Sequence, residues 1–565
     1  MARQMADGPM VVLSDESQRT SGEDARSMNL EAGRAVAETI RTTLGPRGMD
    51  KMLVDQGGNV VITNDGVTLL EEMDVDHPAA DMIVDVATTQ EEEVGDGTTS
   101  AVILAGALLA NAEDLLEQDI HPTSIVAGYR HAAETVTEVF EDIATEVDPD
   151  DTDVLEQVAG TAMTGKGAES AKELLSSMVV SGVRAAVRED GTVDQDAVDV
   201  RQFYGASIDD SEFVEGVLFD IEPVHQNMAR EIEDANVLVY EGDIEVSESE
   251  VGAEASVGDM ADLQGFVERE QSELAEKVDT IVEAGADVVL ADGGIDEYAA
   301  ELLVENGITA FRRVEDDKRQ RVAQATGAER VGDLKLLTAE HLGHAGNVYE
   351  RVIRDVTVRR QADHESTVVF GDLPEEGVGT ILLRGGTEHV LDEIERAVVD
   401  SIGVVSAALE DGYVLPGGGA PEIEASLALR EEADSVEGRE QLAVEAFAEA
   451  FEDGPRTLAE NAGHDAIDAL VDMTARHDGG DVNVGIDADT GELVEMFEDG
   501  VVEPLRVKTT AVNSAVDAST MILRIDDVIS AGDLSVGGED DEEGGAGGPP
   551  GGMGGGMGGG MGGMM

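Results

Sequence analysis

The chain has 565 residues, of which 36 are Lys or Arg and 123 are Asp or Glu, so its formal net charge is −87. Direct binding to nucleic acid is disfavoured, because phosphate backbones attract basic surfaces. Hydrophobic residues make up 41% of the chain, which is enough for a large core and argues against an acidic disordered protein. The length indicates two to four domains, and the absence of cysteine excludes disulfides and thiolate metal sites.

The acidic residues are spread along the whole chain rather than gathered in one tail. At low ionic strength that much like charge would oppose a compact fold, whereas in about 1 M salt the Debye length shrinks to roughly 3 Å. We therefore expect a folded protein from a high-salt cytoplasm. Residues 1–20 lack the apolar segment of a secretory signal, and the longest apolar run, 101–110, is too short to span a bilayer. The sequence thus predicts a soluble cytoplasmic protein.

The first elements in the chain are a helix and a hairpin. Apolar residues recur at helical spacing over 29–44, and glycine and proline then enforce a turn at 45–48. Two short apolar runs, 52–54 and 60–62, flank a glycine-rich turn and predict a β-hairpin. The second strand leads into a carboxylate beside a glycine at Asp65.

Helical patterning continues over three segments, 81–93, 98–116 and 122–147. Directly before the second of these the chain reads Gly-Asp-Gly-Thr-Thr-Ser, residues 95–100. The glycine at Gly97 lets a ligand approach the backbone closely, since it has no Cβ. This segment is the first candidate for a binding site.

The hydroxyl residues of this segment are candidate caps for the helix that follows. A cap at Thr98, Thr99 or Ser100 would leave N–H groups free at the helix start, and such an N-terminus attracts phosphate. Asp96 could hold a hard cation such as Mg²⁺, which prefers carboxylate and phosphate oxygens. Two interpretations stand at this point: a phosphate site, or an acidic turn before a capped helix.

A glycine-lysine loop follows at 161–167. Residues 160–166 match the phosphate-loop pattern G-x-x-x-x-G-K, but the next residue is Gly167 rather than the serine or threonine that holds Mg²⁺. The pattern also needs a preceding strand, which the sequence here does not clearly supply. A true P-loop NTPase is disfavoured, and Lys166 is either a phosphate sensor or a solvated loop lysine.

The middle of the chain alternates strand and helix. Strands are predicted at 237–240, 288–290 and 308–311, and a helix at 296–306. This order predicts an α/β layer. A polar excursion at about 244–262, followed by another helix, could project from that domain. His341 and His344 could bridge a metal, but no third ligand is implied nearby and two surface histidines are the favoured interpretation.

Helical patterning returns in the last third. The predicted helices are 388–409, 440–451, 456–461 and 465–477, with a final helix reaching 528. A triple glycine at 417–419 interrupts them, either as a packing turn or as a close approach to a nucleotide. From 537 the chain is a low-complexity acidic and Gly-Met tail that cannot bury a core.

Four glycine-bearing loops are more specific as a set than singly. They are Leu44-Gly45-Pro46, Asn64-Asp65-Gly66, Gly95-Asp96-Gly97-Thr98-Thr99 and Gly417-Gly418-Gly419. Together they resemble the nucleotide site of the chaperonins, and the archaeal group II type, the thermosome, is the most similar. Segments 383–389, 455–463 and 503–509 support this resemblance, which covers nearly all of the chain. The surplus of acid resembles that of haloarchaeal proteins.

The resemblance implies a multidomain α+β and α/β chaperonin fold. A mostly helical equatorial ATP-binding domain would comprise 19–150 and 404–531. A small intermediate hinge domain would comprise 151–223 and 371–403. An α/β apical domain at 224–370 would bind substrate proteins and carry a helical lid protrusion at about 244–276, while 537–565 would be a disordered tail.

The resemblance also implies the site residues. The nucleotide phosphates would be lined by Leu44, Gly45, Pro46, Gly97, Thr98, Thr99 and Ser100. Asp96 would ligate Mg²⁺, Asp65 would sit by the metal and the attacking water, and Asp400 would orient that water from the intermediate domain. Lys166 would sense the γ-phosphate, Gly418 would face the nucleoside and Glu503 the ribose.

By this resemblance the protein is a chaperone that hydrolyses ATP with Mg²⁺. Its expected partners are unfolded protein clients and further copies of itself or of paralogous subunits in a double ring. A stand-alone ATP-dependent ligase or kinase is one alternative, and it would need a dedicated acceptor pocket. A non-hydrolysing acidic scaffold is another, and the intact Asp65, Asp96 and Asp400 argue against it.

Two segments depart from the family pattern. Residues 224–228 lack the Pro-Gly that is common there, which puts the apical entry loop in question. The loop 485–491 is more acidic than usual, so the contacts to the base stay open. Neither segment contains the carboxylates assigned to the phosphates.

Overall fold

The structure is a computed structural model that describes residues 19–54, 57–58, 60–73, 75–188, 190–246, 260–353, 365–374 and 378–529. The predicted tail at 537–565 and residues 247–259 of the predicted lid protrusion lie outside the described residues. Three main sets of buried apolar side chains organise the described parts. We call them the first, second and third cores, in the order in which the chain first enters them.

The first core is built almost entirely from helices and draws on both ends of the chain. Its helices are Glu23–Ile40, Gly66–Glu71, Pro78–Val94, Thr98–Glu117, Pro122–Ile143, Ala420–Ala433, Glu440–Phe451 and Leu505–Leu523. Four aromatic rings, those of Tyr129, Phe140, Phe447 and Phe451, pack with centroid distances of 5.4 to 6.2 Å. These contacts join segments some 300 residues apart, so this core forms only when the chain ends meet.

Shorter elements surround the first core. They are the helices Asp453–Asn461, Ala466–Asp478 and Met496–Asp499 and the strands Arg19–Ser21, Lys51–Val54, Val60–Thr63, Thr145–Glu146, Tyr413–Pro416, Val484–Ile486, Leu493–Glu495, Val502–Pro504 and Asp527–Ile529. The first strand, Arg19–Ser21, pairs antiparallel with the last, Asp527–Ile529. Tyr413–Pro416 pairs with Val502–Pro504, which places the triple glycine beside the C-terminal segment.

The helix Thr98–Glu117 is the most apolar element of the first core. It follows the Gly-Asp-Gly turn and buries twelve of its twenty residues. The whole helix of 20 residues is long and apolar enough to cross a membrane, although the continuous apolar run within it covers only 101–110. It instead packs among the helices Glu23–Ile40, Glu440–Phe451 and Leu505–Leu523, and this burial accounts for its composition.

The second core is formed by three helices and a small sheet. The helices are Thr152–Met163, Lys172–Ala185 and Glu388–Asp411, and the strands are Val198–Tyr204, Glu212–Glu215 and Gly379–Gly385. Gly379–Gly385 lies in the middle, parallel to one neighbour and antiparallel to the other, and all seven of its residues are buried. The helix Glu388–Asp411 runs unbroken through position 403, where the sequence placed a domain boundary.

The third core lies on both faces of a seven-stranded sheet. Its strands are Val217–Asp220, Glu231–Tyr240, Val288–Ala291, Thr309–Phe311, Arg330–Val331, Gly343–Ile353 and Glu365–Gly371. The accompanying helices are Met260–Ala284, Glu297–Glu305 and Asp316–Thr326. Part of the sheet is parallel and flanked by helices, and the rest is antiparallel. The predicted α/β layer is therefore the parallel part of a mixed sheet.

Short helical turns complete the described elements. These 3₁₀ turns are Arg41–Thr43, Glu169–Ala171, Gln195–Ala197, Ile208–Asp210, Leu334–Leu336 and Ala339–His341. The first of them corrects a prediction, because the helix predicted at 29–44 ends at Ile40 and tightens into this turn. The tighter turn carries the chain directly into the Leu44-Gly45-Pro46 loop.

Most predicted helices are present with ends shifted by a few residues, but two C-terminal ends are wrong. The helix predicted at 122–147 ends at Ile143, because Thr145–Glu146 pairs with Tyr413–Pro416. The final helix, predicted to reach 528, ends at Leu523, because residues 527–529 pair with the first strand. In both places, pairing with a strand from the other end of the chain replaces the last turn of the predicted helix. Such long-range pairing cannot be predicted from the local sequence pattern.

The acidic composition makes the fold salt-dependent. Reducing ionic strength from about 1 M to about 0.1 M lengthens the Debye length from roughly 3 Å to roughly 10 Å and restores repulsion among the surface carboxylates. We expect a lower melting temperature, measured by circular dichroism. At still lower salt we expect dissociation or unfolding. KCl and NaCl at equal ionic strength should act alike, and an unchanged melting temperature across this range would contradict the prediction.

Candidate active site

A cavity of about 450 Å³ opens where the two ends of the chain meet the loop after the helix Thr152–Met163. All but one of the predicted site residues line it: Leu44, Gly45, Pro46, Asp65, Asp96, Gly97, Thr98, Thr99, Ser100, Lys166, Gly418 and Glu503. The exception is Asp400, which contacts these residues by accepting a hydrogen bond from the ammonium of Lys166. The structure thus brings together residues that lie more than 450 positions apart in the sequence.

Two glycines shape the Gly-Asp-Gly turn. Gly95 ends the helix before it with φ 82°, and Gly97 starts the helix Thr98–Glu117 with φ 83°, both in the left-handed region that favours glycine. The predicted hydroxyl cap is wrong, because Gly97 itself occupies the cap position and no side chain caps this helix. The N-terminal N–H groups are therefore left without a side-chain partner beside the cavity, as an anion site requires.

Asp65 also stands at a helix start. Its Oδ2 accepts a hydrogen bond from the backbone N–H of Thr68 at 2.8 Å and so caps the helix Gly66–Glu71. Gly66 is close to the neighbouring helix start, since a Cβ there would lie 2.7 Å from Thr99 Oγ1. Two helix N-termini consequently converge on one wall of the cavity.

The loop at Leu44 is held from a distant helix. The side-chain amide of Asn461 donates to the carbonyl of Leu44 at 2.9 Å and to that of Arg41 at 3.1 Å. Gly45 adopts φ 82°, and a Cβ there would meet Leu458 at 2.4 Å. Asn461 lies within the segment 455–463 that the sequence analysis singled out, but its role in fixing this loop is visible only in the structure.

Lys166 joins the first and second cores. Its Nζ donates to Asp400 Oδ2 at 2.7 Å and lies 3.3 Å from Asp96 Oδ1. Burial alone would lower the pKa of the ammonium, but Asp400 and Asp96 outweigh it and raise that pKa above its ordinary value. Burial raises the pKa of Asp400 to about 6, although Lys166 opposes the rise, and Asp65 and Asp96 add to it.

Glu91 belongs to this group and was missed from the sequence. Burial raises the pKa of its carboxyl to about 9, and the charges of Asp400 and Asp65 and a hydrogen bond with Asp400 add to the effect. The raised pKa favours the protonated form of this carboxyl group. Its place four residues before Gly95, one helical turn away, was a usable signal, but Glu92 and Glu93 follow directly and nothing in the sequence distinguishes the three.

A second buried ion group lies at the other end of the cavity. Lys508 Nζ donates to Glu422 Oε1 at 2.7 Å and lies 3.0 Å from Glu503 Oε2. Burial lowers the pKa of Lys508, but both carboxylates raise it and the net direction is upward. Burial raises the pKa of Glu503 in spite of the lysine. Lys508 and Glu422 were missed, and the scarcity of lysine in the chain was the only available signal.

The triple glycine lies next to this ion group. Gly418 adopts φ 62°, and its carbonyl accepts from the N–H of Ile486 at 2.9 Å. A Cβ at Gly418 would lie 2.6 Å from Met496, so the backbone here lies directly against its neighbours. The acidic loop that departs from the family pattern, at Asp487 to Asp489, lines the same side of the cavity.

Two alternative sites are not formed. The residues 160–166 that match a phosphate-loop pattern follow a helix, Thr152–Met163, and not the strand a P-loop requires. His341 and His344 contact different acids, Glu329 at 3.7 Å and Asp234 at 3.5 Å. Within the described residues, no three His, Cys, Asp or Glu side chains are arranged to hold a metal by themselves.

The fold and the site together define a nucleotide-binding chaperonin subunit. The model of the TCP-1/cpn60 chaperonin family matches residues 36–533, and the chain belongs to that family. It is therefore an ATP-dependent chaperone and an ATPase of the chaperonin type, with the group II fold. This agrees with the fold class and the function expected from the sequence.

Similar sequences include thermosome subunits from several archaea. Thermosome subunit 1 of Haloferax volcanii is 57% identical over 551 residues, covering 97% of each chain. Thermosome subunit alpha of Halobacterium salinarum is 55% identical over 96% of this chain and 95% of that one. Among solved structures, an open-state monomer of a group II chaperonin from Methanococcoides burtonii has a TM-score of 0.59 and 40% identity, covering 76% of this chain and all of that chain.

Glu91 makes stability depend on pH. Its folded pKa of about 9 lies above the ordinary 4.5, so its contribution is full below pH 4.5 and is lost as the pH rises towards 9. Glu91→Gln keeps a donor and cannot ionise. In the nucleotide-free protein we expect it to melt at a higher temperature than the wild type near pH 8, with the difference vanishing towards pH 5.

The exposed neighbour provides the control for this prediction. Glu92→Gln removes the same charge one residue along the helix, outside the buried group. It should leave the pH dependence of the melting temperature unchanged. A Glu91→Gln profile parallel to that of the wild type would show that Glu91 is already ionised in the folded protein.

Proposed function

We propose that the subunit binds ATP and Mg²⁺ in this cavity and hydrolyses the nucleotide by the residue roles expected from the sequence. The observation that carries the proposal is the bridge from Lys166 to Asp96 and Asp400. It places the candidate metal ligand, the candidate phosphate sensor and the candidate water-orienting carboxylate within a few ångströms of one another. Each of the three comes from a different segment of the chain.

The phosphates would bind at the start of the helix Thr98–Glu117 and along the loop at Leu44, Gly45 and Pro46. The uncapped helix start and the close glycine backbone support this placement. The ribose would face Glu503 and the nucleoside would face Gly418. The ion group around Lys508 would hold Glu503 in place for that contact.

A hard cation fits the charge of the site. Burial and the charges of Asp65 and Asp96 raise the pKa of Asp400, and one ammonium does not balance the three carboxyl groups. Asp96 would hold Mg²⁺ together with phosphate oxygens, which suits an ion that prefers a few carboxylates plus a nucleotide. When bound, the ion neutralises charge on the transferred phosphoryl group.

Asp65 and Asp400 would orient the attacking water. Asp400 is 5% exposed and sits in the helix Glu388–Asp411, which belongs to the second core. Asp65 and Asp96 lie at the starts of two helices of the first core. A carboxylate supplied by a separate unit lets hydrolysis depend on how the two units are arranged, and nucleotide binding can then bias that arrangement.

The chamber is the second part of the proposal. Subunits would form a double ring in the cytoplasm. Unfolded clients would bind to the domain that contains the third core, and a lid beginning near 244 would close upon hydrolysis. Thermosome subunits 1 and 2 of Haloferax volcanii are 57% and 49% identical to this chain. A second, paralogous subunit in the same ring is therefore the expected arrangement.

One exposed apolar face supports assembly with further copies. In the hairpin, Met52 lies opposite Ile62 and Val54 opposite Val60, so all four side chains share one face. They are 46 to 65% exposed. A two-stranded ribbon with an apolar open face is marginal alone and is a ready template for pairing with another chain. We assign this hairpin to the contact between neighbouring subunits.

Asp400→Ala tests the catalytic role. The substitution removes the water-orienting carboxylate but none of the groups proposed to bind phosphate. We expect ATP binding to persist while turnover falls by about a hundredfold or more, the range of a lost acid–base group. Binding is measured by calorimetry and turnover by phosphate release, both in high salt.

The control for this prediction is Asp472→Ala, an exposed aspartate on the helix Ala466–Asp478. It should match the wild type in both measurements. Unimpaired hydrolysis by Asp400→Ala would show that another group orients the water. Absence of ATP binding by the wild type would instead refute the nucleotide site as a whole.

The hairpin tests assembly. Met52→Lys combined with Ile62→Glu puts an opposite-charge pair across the two strands, which preserves the hairpin while removing its apolar face. We expect the wild type to form a particle of about a megadalton in high salt and the variant to run as a small species with unchanged secondary structure. Light scattering after gel filtration and circular dichroism give the two readouts.

The matched control replaces an equally exposed apolar residue elsewhere. Leu336 is 70% exposed and lies in a short turn next to the third core, and Leu336→Glu should leave the particle intact. If the hairpin variant assembles like the wild type, the hairpin is not the contact. A small species from the wild type would favour the stand-alone ligase or kinase.

A further inference from the structure

A buried glutamine lies directly behind the Gly-Asp-Gly turn. Gln90 belongs to the helix Pro78–Val94 and is completely buried. Its side-chain nitrogen donates to the carbonyl of Asp96 at 2.7 Å and to the carbonyl of Val507 at 3.1 Å. The two acceptors belong to two segments that line the cavity, 411 residues apart.

The orientation of the amide follows from these partners. A flipped side chain would aim its oxygen at two carbonyl oxygens, which accept and cannot donate, so only the nitrogen fits there. Gln90 Oε1 has no hydrogen-bond partner within the described part of the chain. The two donated bonds are therefore the whole polar function of this side chain.

The bond to Asp96 fixes the direction of a peptide. In a planar trans peptide the C=O of one residue and the N–H of the next point in opposite directions. With the Asp96 carbonyl held towards Gln90, the N–H of Gly97 is turned away from Gln90. Gly97 lines the cavity, and among the described residues no hydrogen bond from its N–H is found.

Packing reinforces this direction. A Cβ at Gly97 would lie 3.0 Å from the Gln90 nitrogen and 2.8 Å from a methyl of Val507, so the turn lies directly against both. Val507 precedes Lys508, which holds Glu503 and Glu422. Gln90 is thus the shared contact between the phosphate end and the ribose end of the cavity.

We propose that Gln90 is a positioning residue that aims the Gly97 N–H at the nucleotide phosphates and ties the Gly-Asp-Gly turn to the helix Leu505–Leu523. This inference rests on the proposed nucleotide site. Gln90 touches no phosphate itself. It acts through the peptide between Asp96 and Gly97.

Gln90→Met provides the test, because it keeps the length and shape of the side chain and removes both donors. It also removes the unpartnered oxygen, so the loss of stability is partly offset. We expect affinity for ATP and ADP to fall about tenfold, the effect of one misdirected hydrogen bond to a charged group. Affinity for adenosine, which has no phosphate, should not change. Calorimetry on the full-length protein in high salt measures all three.

Asn111→Leu is the matched control. Asn111 also uses its amide nitrogen to hold a distant carbonyl, that of Ala446 at 2.8 Å, but it does so within the first core away from the cavity. It should lower the melting temperature without changing the ratio of ATP to adenosine affinity. A role of Gln90 in folding alone would give this same pattern.

The outcomes separate the two proposals. A selective loss of ATP and ADP affinity in Gln90→Met supports the inference, and an unchanged or proportional loss across all three compounds overturns it. If Gln90→Met does not fold, Gln90→Asn decides by the same criterion, because its amide is one methylene too short to reach both carbonyls. A wild type that binds no ATP would refute the nucleotide site, whereas a wild-type ratio kept by the variant would refute only the role of Gln90.

Discussion

One buried ammonium pairs with carboxylates from two other segments of the chain. Lys166 extends from the loop after Thr152–Met163 and bonds Asp400 on the second core and Asp96 at the start of a first-core helix. Burying a charge is costly unless it is paired, and breaking one partner of such a group leaves an uncompensated charge. This contact therefore joins the two cores together with the packing of the helix Glu388–Asp411 against the helices Pro78–Val94 and Leu505–Leu523.

The carboxyl groups around Lys166 carry more negative charge than its ammonium can balance. Asp65 and Glu91 also face it, so four carboxyl groups share one lysine. Burial and the neighbouring carboxylates raise the pKa of Glu91 to about 9 and that of Asp400 to about 6. A bound cation and an anionic phosphate would compete for Asp96 and for Lys166 respectively. Occupancy of the cavity can then shift the contact between the cores, because the ligand interacts differently with the paired and unpaired states.

The sequence predicted the loops better than it predicted their supports. Gly95, Gly97 and Gly418 adopt a left-handed backbone that favours glycine, and Asp96 lies between the first two. Asp400 has no local signal: it lies in mid-helix and entered only through the resemblance to chaperonins. Supporting groups such as Asn461 and Lys508 act across hundreds of residues, so no spacing in the sequence reveals them. The helix ends at Ile143 and Leu523 were mispredicted for the same reason, because distant strands set them.

Salt and burial act on different parts of this molecule. The net charge of −87 is spread along the chain, and mobile ions screen exposed charges over a Debye length of a few ångströms in concentrated salt. The buried Lys166–Asp400 pair is screened far less, since solvent ions do not enter between atoms 2.7 Å apart. Concentrated salt can therefore be required for the fold while leaving the strength of the central contact nearly unchanged. The chain thus carries a halophilic surface around a site whose electrostatics are set by the protein's own side chains.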